Sequence, residues 1–430
     1  MSMFREIVFK SMSWMFCLAY AGLFFELPIS NITLFLLVAC CLVTLNIGQL
    51  RKSISSNWPI RLMLLFYLLH IIGLLYSENL SNGFFVLEKK VTLLVFPILL
   101  FPALQQLPRL EKSKLFFRIG IVTLSSSLIF LIIAFLKKYF YSYALAFHPD
   151  FFASIPYVFY GIYFAAGSLF LLSTLNERWE ASQRKFIILS LLVIYSLGAL
   201  VIIGSKTGII SYVTGLAIFL SLNLKSRKLF SLSLAAVGVA LCVFLLLYPN
   251  TLNRFKVLSR NLSVLKAETL KNKEEFTGLN LRLFIWKTAV SQLWRDHLLV
   301  TGVGTGDGQD YLDKAYEEKK LQNYGFMHFD PHNQWVMTLV QLGIIGVIIL
   351  GLVFHTAWRA SRRTGQSNFF YFAVIMICYS FSESILEANK GVVFFALMFC
   401  LVVTVHQTDS TKAISVDPDQ VVKEANGKGS

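Results

Sequence analysis

Charge is what this chain has least of. Of its 430 residues 15% are charged and 56% hydrophobic, with a mean hydropathy of +0.64. That mixture cannot clothe a water-soluble globule, so a soluble domain is excluded. The six cysteines (Cys17, Cys40, Cys41, Cys242, Cys378, Cys400) all lie in or beside apolar runs. They offer neither a disulfide framework nor a zinc spacing and read as small buried hydrophobes. No stretch interleaves basic with aromatic residues on a soluble face, so the formal charge of +15 does not indicate nucleic acid. No carboxylate pair has metal-ligand spacing, and neither a metal nor a cofactor is expected. No internal repeat is visible. Met1 to Lys10 is basic and leads into an apolar run without a small-residue cleavage site, which reads as a first span that stays attached.

Long apolar runs are what the chain does have. About 20 helical residues cross a hydrocarbon core of about 30 Å. Twelve candidate spans lie near residues 12–29, 32–49, 60–76, 84–104, 115–136, 151–173, 186–203, 207–224, 229–248, 334–357, 368–386 and 391–406. The expected fold class is an all-α polytopic membrane protein with about 12 transmembrane helices. Alternate short loops are rich in basic residues, such as Arg51, Lys52 and Arg61, or Lys225, Arg227 and Lys228. By the positive-inside rule those loops and both termini are cytoplasmic. The expected organisation is spans one to nine over 1–248, an extracytoplasmic loop over 249–333, spans ten to twelve over 334–407, and a disordered cytoplasmic tail over 408–430.

The loop of residues 249–333 is the largest polar region. Helical periodicity predicts one helix over Asn280 to His297, with Ile285, Ala289 and Leu293 on one face, and a second over Asp310 to Asn323. Between them Gly302, Gly304, Gly306 and Gly308 suggest a phosphate cradle. No strand precedes them and no Lys-Ser/Thr follows, so a tight connector is the better reading. Charge is uneven: residues 249–300 hold nine basic and four acidic side chains, a net of +5, and residues 301–333 hold three and six, a net of −3. A cationic front half suits an anionic substrate, or equally a lipid headgroup surface.

The loop ends in Asp330-Pro331-His332-Asn333. Asp-Pro is a good helix-starting pair, which would place His332 and Asn333 in a first helical turn and keep the imidazole neutral. Gly343 and Gly346 follow His332 by 11 and 14 positions, within roughly 40° of its face on an unbroken helix, where small residues admit close neighbours. The plain alternative is that His332 decorates an interface and the glycines only pack.

His-Asn, nine residues, Gly, two residues, Gly resembles the signature of the O-antigen ligase and polymerase superfamily. The resemblance extends over nearly the whole chain: twelve spans, a large periplasmic loop between spans nine and ten, and an Arg followed shortly by Trp, here Arg282 and Trp286. It implies an architecture similar to the GT-C-type membrane glycosyltransferases, located in a Gram-negative inner membrane. Where the family usually has Ser-Arg in the turn between spans seven and eight, this chain has Ser205-Lys206, which keeps the charge and loses bidentate geometry.

The implied reaction is inverting, metal-independent transfer of a glycan from undecaprenyl diphosphate to lipid A-core. His332 would deprotonate the acceptor hydroxyl, and Arg282 and Lys206 would stabilise the leaving diphosphate. Asn333, Arg254, Arg260, Glu88, Lys89 and Glu383 are further candidates for lining the substrate cavity, with residues at helix ends equally able to reach water. His328 is expected either to pair with Asp330 or to be exposed. A polymerase or an oligosaccharyltransferase of the same superfamily fits the motif too. A lipid-linked glycan flippase, a different class, fits the span count but not the one-sided polar constellation.

Overall fold

A backbone in hydrocarbon has no water to bond, so apolar runs of this length become helices. The computed structural model describes residues 2–140, 156–180, 182–248, 251–252, 278–364 and 367–414. Among these residues the fold is 84% helix without strands. The helices are α1 Ser2–Gly22, α2 Leu27–Thr44, α3 Ile47–Ser55, α4 Trp58–Leu74, α5 Leu80–Lys90, α6 Thr92–Gln105, α7 Arg109–Phe140, α8 Tyr157–Arg178, α9 Gln183–Ile203, α10 Lys206–Asn223 and α11 Arg227–Leu247. They continue with α12 Leu279–Arg295, α13 Gly308–Glu318, α14 Gln334–Thr364, α15 Ser367–Ser382 and α16 Asn389–Ile414.

Helix occupies each of the twelve expected stretches. Among the described residues six helices are long and apolar enough to cross a membrane unaided, seven if the pair α3 and α4, bent by 93°, forms one span. The difference from twelve has local causes. The stretch 84–104 is divided between α5 and α6, and α6 contains a π-helical turn at Phe96–Leu100 that includes Pro97 and is followed by Pro102, where proline cannot donate to the regular ladder. Helix α15 and the apolar part of α16 are short. The last helix also continues to Ile414, past the expected start of the tail at 408; residues 415–430 lie outside the described residues.

Helices α8 and α16 form the centre of the bundle. From Ile162 to Leu172 and from Val392 to Val403 nearly every side chain is buried, the mark of helices surrounded by protein. Side α11 has no buried residue, as a peripheral helix facing lipid would. Close approach at the centre uses glycine: a Cβ at Gly167 would collide with Thr123, and one at Gly120 with Leu171, so α7 and α8 touch backbone to side chain.

The polar region has its own core. Leu281, Phe284, Ile285, Ala289 and Leu293 of α12 pack with Leu312 and Tyr316 of α13 and with Met337 and Val340 of α14. The predicted face of Ile285, Ala289 and Leu293 is the buried one. The second predicted helix forms as α13 followed by a 3₁₀ turn at Leu321–Tyr324.

Glycine positions the loop on the bundle. The segment 298–306 crosses α14 and the α4–α5 connection, and the amides of residues 302–306 are committed: Gly302 N to Leu298 O, Val303 N to Val340 O, Gly304 N to Gln341 O, Thr305 N to Gly73 O and Gly306 N to the Ser77 hydroxyl. These five amides serve the connection to the bundle, in keeping with the connector reading. Val340 and Gln341 can offer carbonyls because α14 breaks at Gly343, whose φ of 64° and ψ of −165° only glycine adopts readily. A Cβ there would lie 2.1 Å from Val300 O. The expectation that Gly343 and Gly346 admit a neighbouring helix on the His332 face is thus corrected. Gly343 admits the loop backbone, and Gly346 faces Leu342 and Thr338 of its own helix.

Candidate active site

The chain around His332 is a turn, not a helix start. Helix α14 begins at Gln334 with Asn333 as its N-cap, the Asn333 side chain accepting from Trp335 N at 2.9 Å and Val336 N at 3.2 Å. Asp330 instead accepts from the backbone N–H of His332, and His332 has a left-handed φ of 47°. The Asp-Pro signal fails because the Asp330 carboxylate closes its own short turn and Asn333, three residues later, takes the cap. Asn333 Oδ1 is therefore engaged as the cap, and the Asn333 backbone N–H donates to the Ser384 hydroxyl.

Three elements meet at Glu383. The C-terminal end of α15 presents its carboxylate, with Oε2 2.9 Å from His332 Nδ1 and Oε1 3.1 Å from Arg282 Nη2. Arg282 Nη1 also donates to Ser382 O at 2.9 Å. One turn along α12, Trp286 Nε1 donates to Pro331 O at 2.6 Å. Arg282 and Trp286, four residues apart and so on one helical face, clamp α12 to both sides of the His332 turn.

The electrostatics differ from the sequence expectation. Hydrogen bonding to Glu383, assisted by the charge of Asp330, holds the His332 imidazole above its usual range, against burial and the Arg282 charge. A helix N-terminus would have lowered it, but the ring is not on one. Burial pushes the Asp330 carboxyl up. With Nδ1–H donated to a carboxylate, the neutral ring carries its lone pair on Nε2, and the imidazole side chain is 39% exposed. That is the arrangement of an oriented base.

Lys206 opens α10 beside this group. Ser205 caps α10 through Gly208 N and lies 3.3 Å from the Tyr379 hydroxyl, and Thr207 donates to Ser382 Oγ at 2.8 Å. The helix start carrying Lys206 is thereby tied to the residue whose carbonyl holds Arg282. Glu88 and Lys89 are placed otherwise. Glu88 is exposed, Lys89 Nζ lies over the Phe85 ring at 4.3 Å, and no described hydrogen bond joins either to His332, Arg282 or Glu383. His328 is exposed, the second of its two expected placements, and it pairs with Asp313 rather than Asp330. Arg254 and Arg260 lie outside the described residues.

Sequence reading missed the bridging role of Glu383 and the anchoring of Trp286 on Pro331. The i, i+4 spacing of Arg282 and Trp286 was the available signal for the second. Nothing local announces the first, since 51 positions separate Glu383 from His332.

No curated protein matches this chain. Residues 191–351 match the family model described as O-antigen ligase, a stretch holding Lys206, Arg282, Trp286, His332, Gly343 and Gly346. Over this stretch the chain is similar to the O-antigen ligase family.

Proposed function

We propose that the chain is an O-antigen ligase, a membrane glycosyltransferase that moves a glycan from undecaprenyl diphosphate to lipid A-core on the periplasmic side of a Gram-negative inner membrane, with both termini cytoplasmic. The observation that carries this reading is the Arg282–Glu383–His332 arrangement at the surface turn. Glu383 orients His332 so that Nε2 faces outward as a base. The acceptor oxygen bonds to the anomeric carbon as the carbon–oxygen bond to diphosphate breaks. The hydroxyl proton passes to Nε2, and attack from the far side inverts the anomeric centre.

Negative charge builds on the leaving diphosphate, so cations there help more in the transition state than in the ground state. Arg282 has five N–H bonds and gives one to Ser382 and one to Glu383, leaving donors for phosphate oxygens. Lys206 supplies the second cation. Asp330 and Asn333 hold the turn rather than the substrate.

Inactivation of the gene tests the reading through what accumulates on the carrier. Long glycan chains retained on undecaprenyl diphosphate, with bare lipid A-core, are expected. Single repeats on the carrier would identify a polymerase instead, and repeats confined to the cytoplasmic leaflet a flippase.

A further inference from the structure

A second polar cluster lies inside the bundle. Lys90 at the end of α5 and His70 in α4 are both 0% exposed, deeper than His332, Arg282 or Glu383. Lys90 Nζ lies 2.9 Å from His70 Nε2, 3.1 Å from Gln341 Oε1 and 2.6 Å from Glu387 Oε1. An ammonium has three N–H bonds and no lone pair, so all three are donated here. His70 Nδ1 lies 2.9 Å from Phe66 O, an acceptor only, which fixes the ring proton on Nδ1 and leaves Nε2 to accept from Lys90. Gln341 Nε2 completes the set at 3.2 Å from Glu387 Oε2.

The position of Glu387 gives the cluster its consequence. Residues 382–387 run from the last residue of α15 toward α16 and include the 3₁₀ turn Ile385–Glu387. Along them Ser382 O accepts from Arg282, Glu383 holds Arg282 and His332, and Ser384 Oγ accepts from Asn333 N. Leu386 N donates to Gln334 Oε1, and Glu387 N to Ser384 O. A six-residue connector therefore carries the orienting carboxylate at one end and a buried ion pair at the other. We propose that Lys90 is a positioning residue: through Glu387 it fixes the 382–387 connector, and with it the Glu383 carboxylate that orients His332. This rests on the functional reading above. All three Lys90 donors are used inside the protein, so Lys90 acts without touching substrate.

The test compares purified Lys90→Met, Glu387→Gln and the double variant, measuring glycan transfer from a lipid-linked donor together with amide hydrogen exchange over residues 382–387. Each single change leaves one buried partner uncompensated. Each is expected to lower kcat by about 10- to 100-fold, the scale of a displaced catalytic group, with donor KM within about twofold and faster exchange in the connector. The double variant removes both ends of the same tether and is expected to lose no more kcat and no more protection than the worse single variant, since the two residues act as one unit. Gln341→Leu, which weakens the cluster without stranding a charge, is expected to show the same pattern in reduced size if a single variant fails to fold. Wild-type kcat and unaltered exchange in Lys90→Met would overturn the proposal, as would a raised donor KM at constant kcat. Losses of kcat that multiply in the double variant, the mark of independent roles, would also overturn it. If the wild-type protein transfers nothing, the functional reading fails, and exchange over 382–387 still decides the role of Lys90.

Discussion

His332 Nδ1 lies 2.9 Å from Glu383 Oε2, across 51 positions of sequence, and the same carboxylate holds Arg282 through its other oxygen. In the proposed reaction the base and a cation for the leaving group thus share one anchor, the Glu383 carboxylate. Because Glu383 raises the affinity of His332 for a proton, the ring is a stronger base once neutral but is protonated over more of the acid range.

The pH dependence follows from that sign. Transfer needs neutral His332, so kcat should rise with pH through a midpoint above the unperturbed value of about 6.5. In Glu383→Gln the midpoint should move toward acid and kcat should fall by about 10²-fold, since the amide orients the ring without its charge. Stability runs the other way. The protonated ring is favoured in the folded state, so its stabilisation is complete below about pH 6.5 and is lost as pH rises through the raised folded-state value. Rate profiles and thermal unfolding from pH 5 to 9 check both.

Removing the clamp should separate chemistry from architecture. Trp286→Phe keeps the ring and loses the N–H to Pro331 O, at an expected cost of about 1–3 kcal/mol in stability and a modest loss of rate. Arg282→Ala should nearly abolish transfer, because it removes both a diphosphate cation and the partner of Glu383. Equal losses in both variants would mean that Arg282 serves only as a clamp. Thermal unfolding and initial rates on the same preparations give the comparison.

Much of the fold was legible in the chain. Apolar runs placed the helices, and periodicity found the buried face of α12 through Ile285, Ala289 and Leu293. What misled was local signal overridden by its neighbours. Asp330-Pro331 reads as a helix start until Asn333 competes for the cap, and a wheel drawn through Gly343 assumes a helix that breaks there. The pairing of Glu383 with His332 and of Lys90 with Glu387 depends on which helix ends meet in space, which periodicity does not encode.

Gly343→Ala tests the inserted loop. Its backbone region is nearly closed to other residues, a strain of about 1–3 kcal/mol, and the new Cβ would meet Val300 O. A marked fall in thermal stability is expected. A variant as stable as wild type would mean that α14 runs unbroken past the loop.

Lys206 and arginine are expected to be interchangeable in one direction. Lys206→Arg restores the family's usual residue, with the same charge and more donors, and should retain activity, whereas Lys206→Ala should lose most of it. Full activity in the alanine variant would remove Lys206 from the site. Initial rates at saturating donor provide the measure.

The base assignment itself is tested most directly by purified His332→Gln, assayed for transfer from a lipid-linked donor between pH 5 and 9. Glutamine hydrogen-bonds but cannot take the acceptor's proton, and it meets the same left-handed backbone as histidine. The expected result is a loss of about 10²- to 10⁴-fold at every pH, with donor binding intact and no ionisation left in the His range. Turnover near that of the wild type would mean that His332 only positions the substrates and that the hydroxyl gives its proton elsewhere.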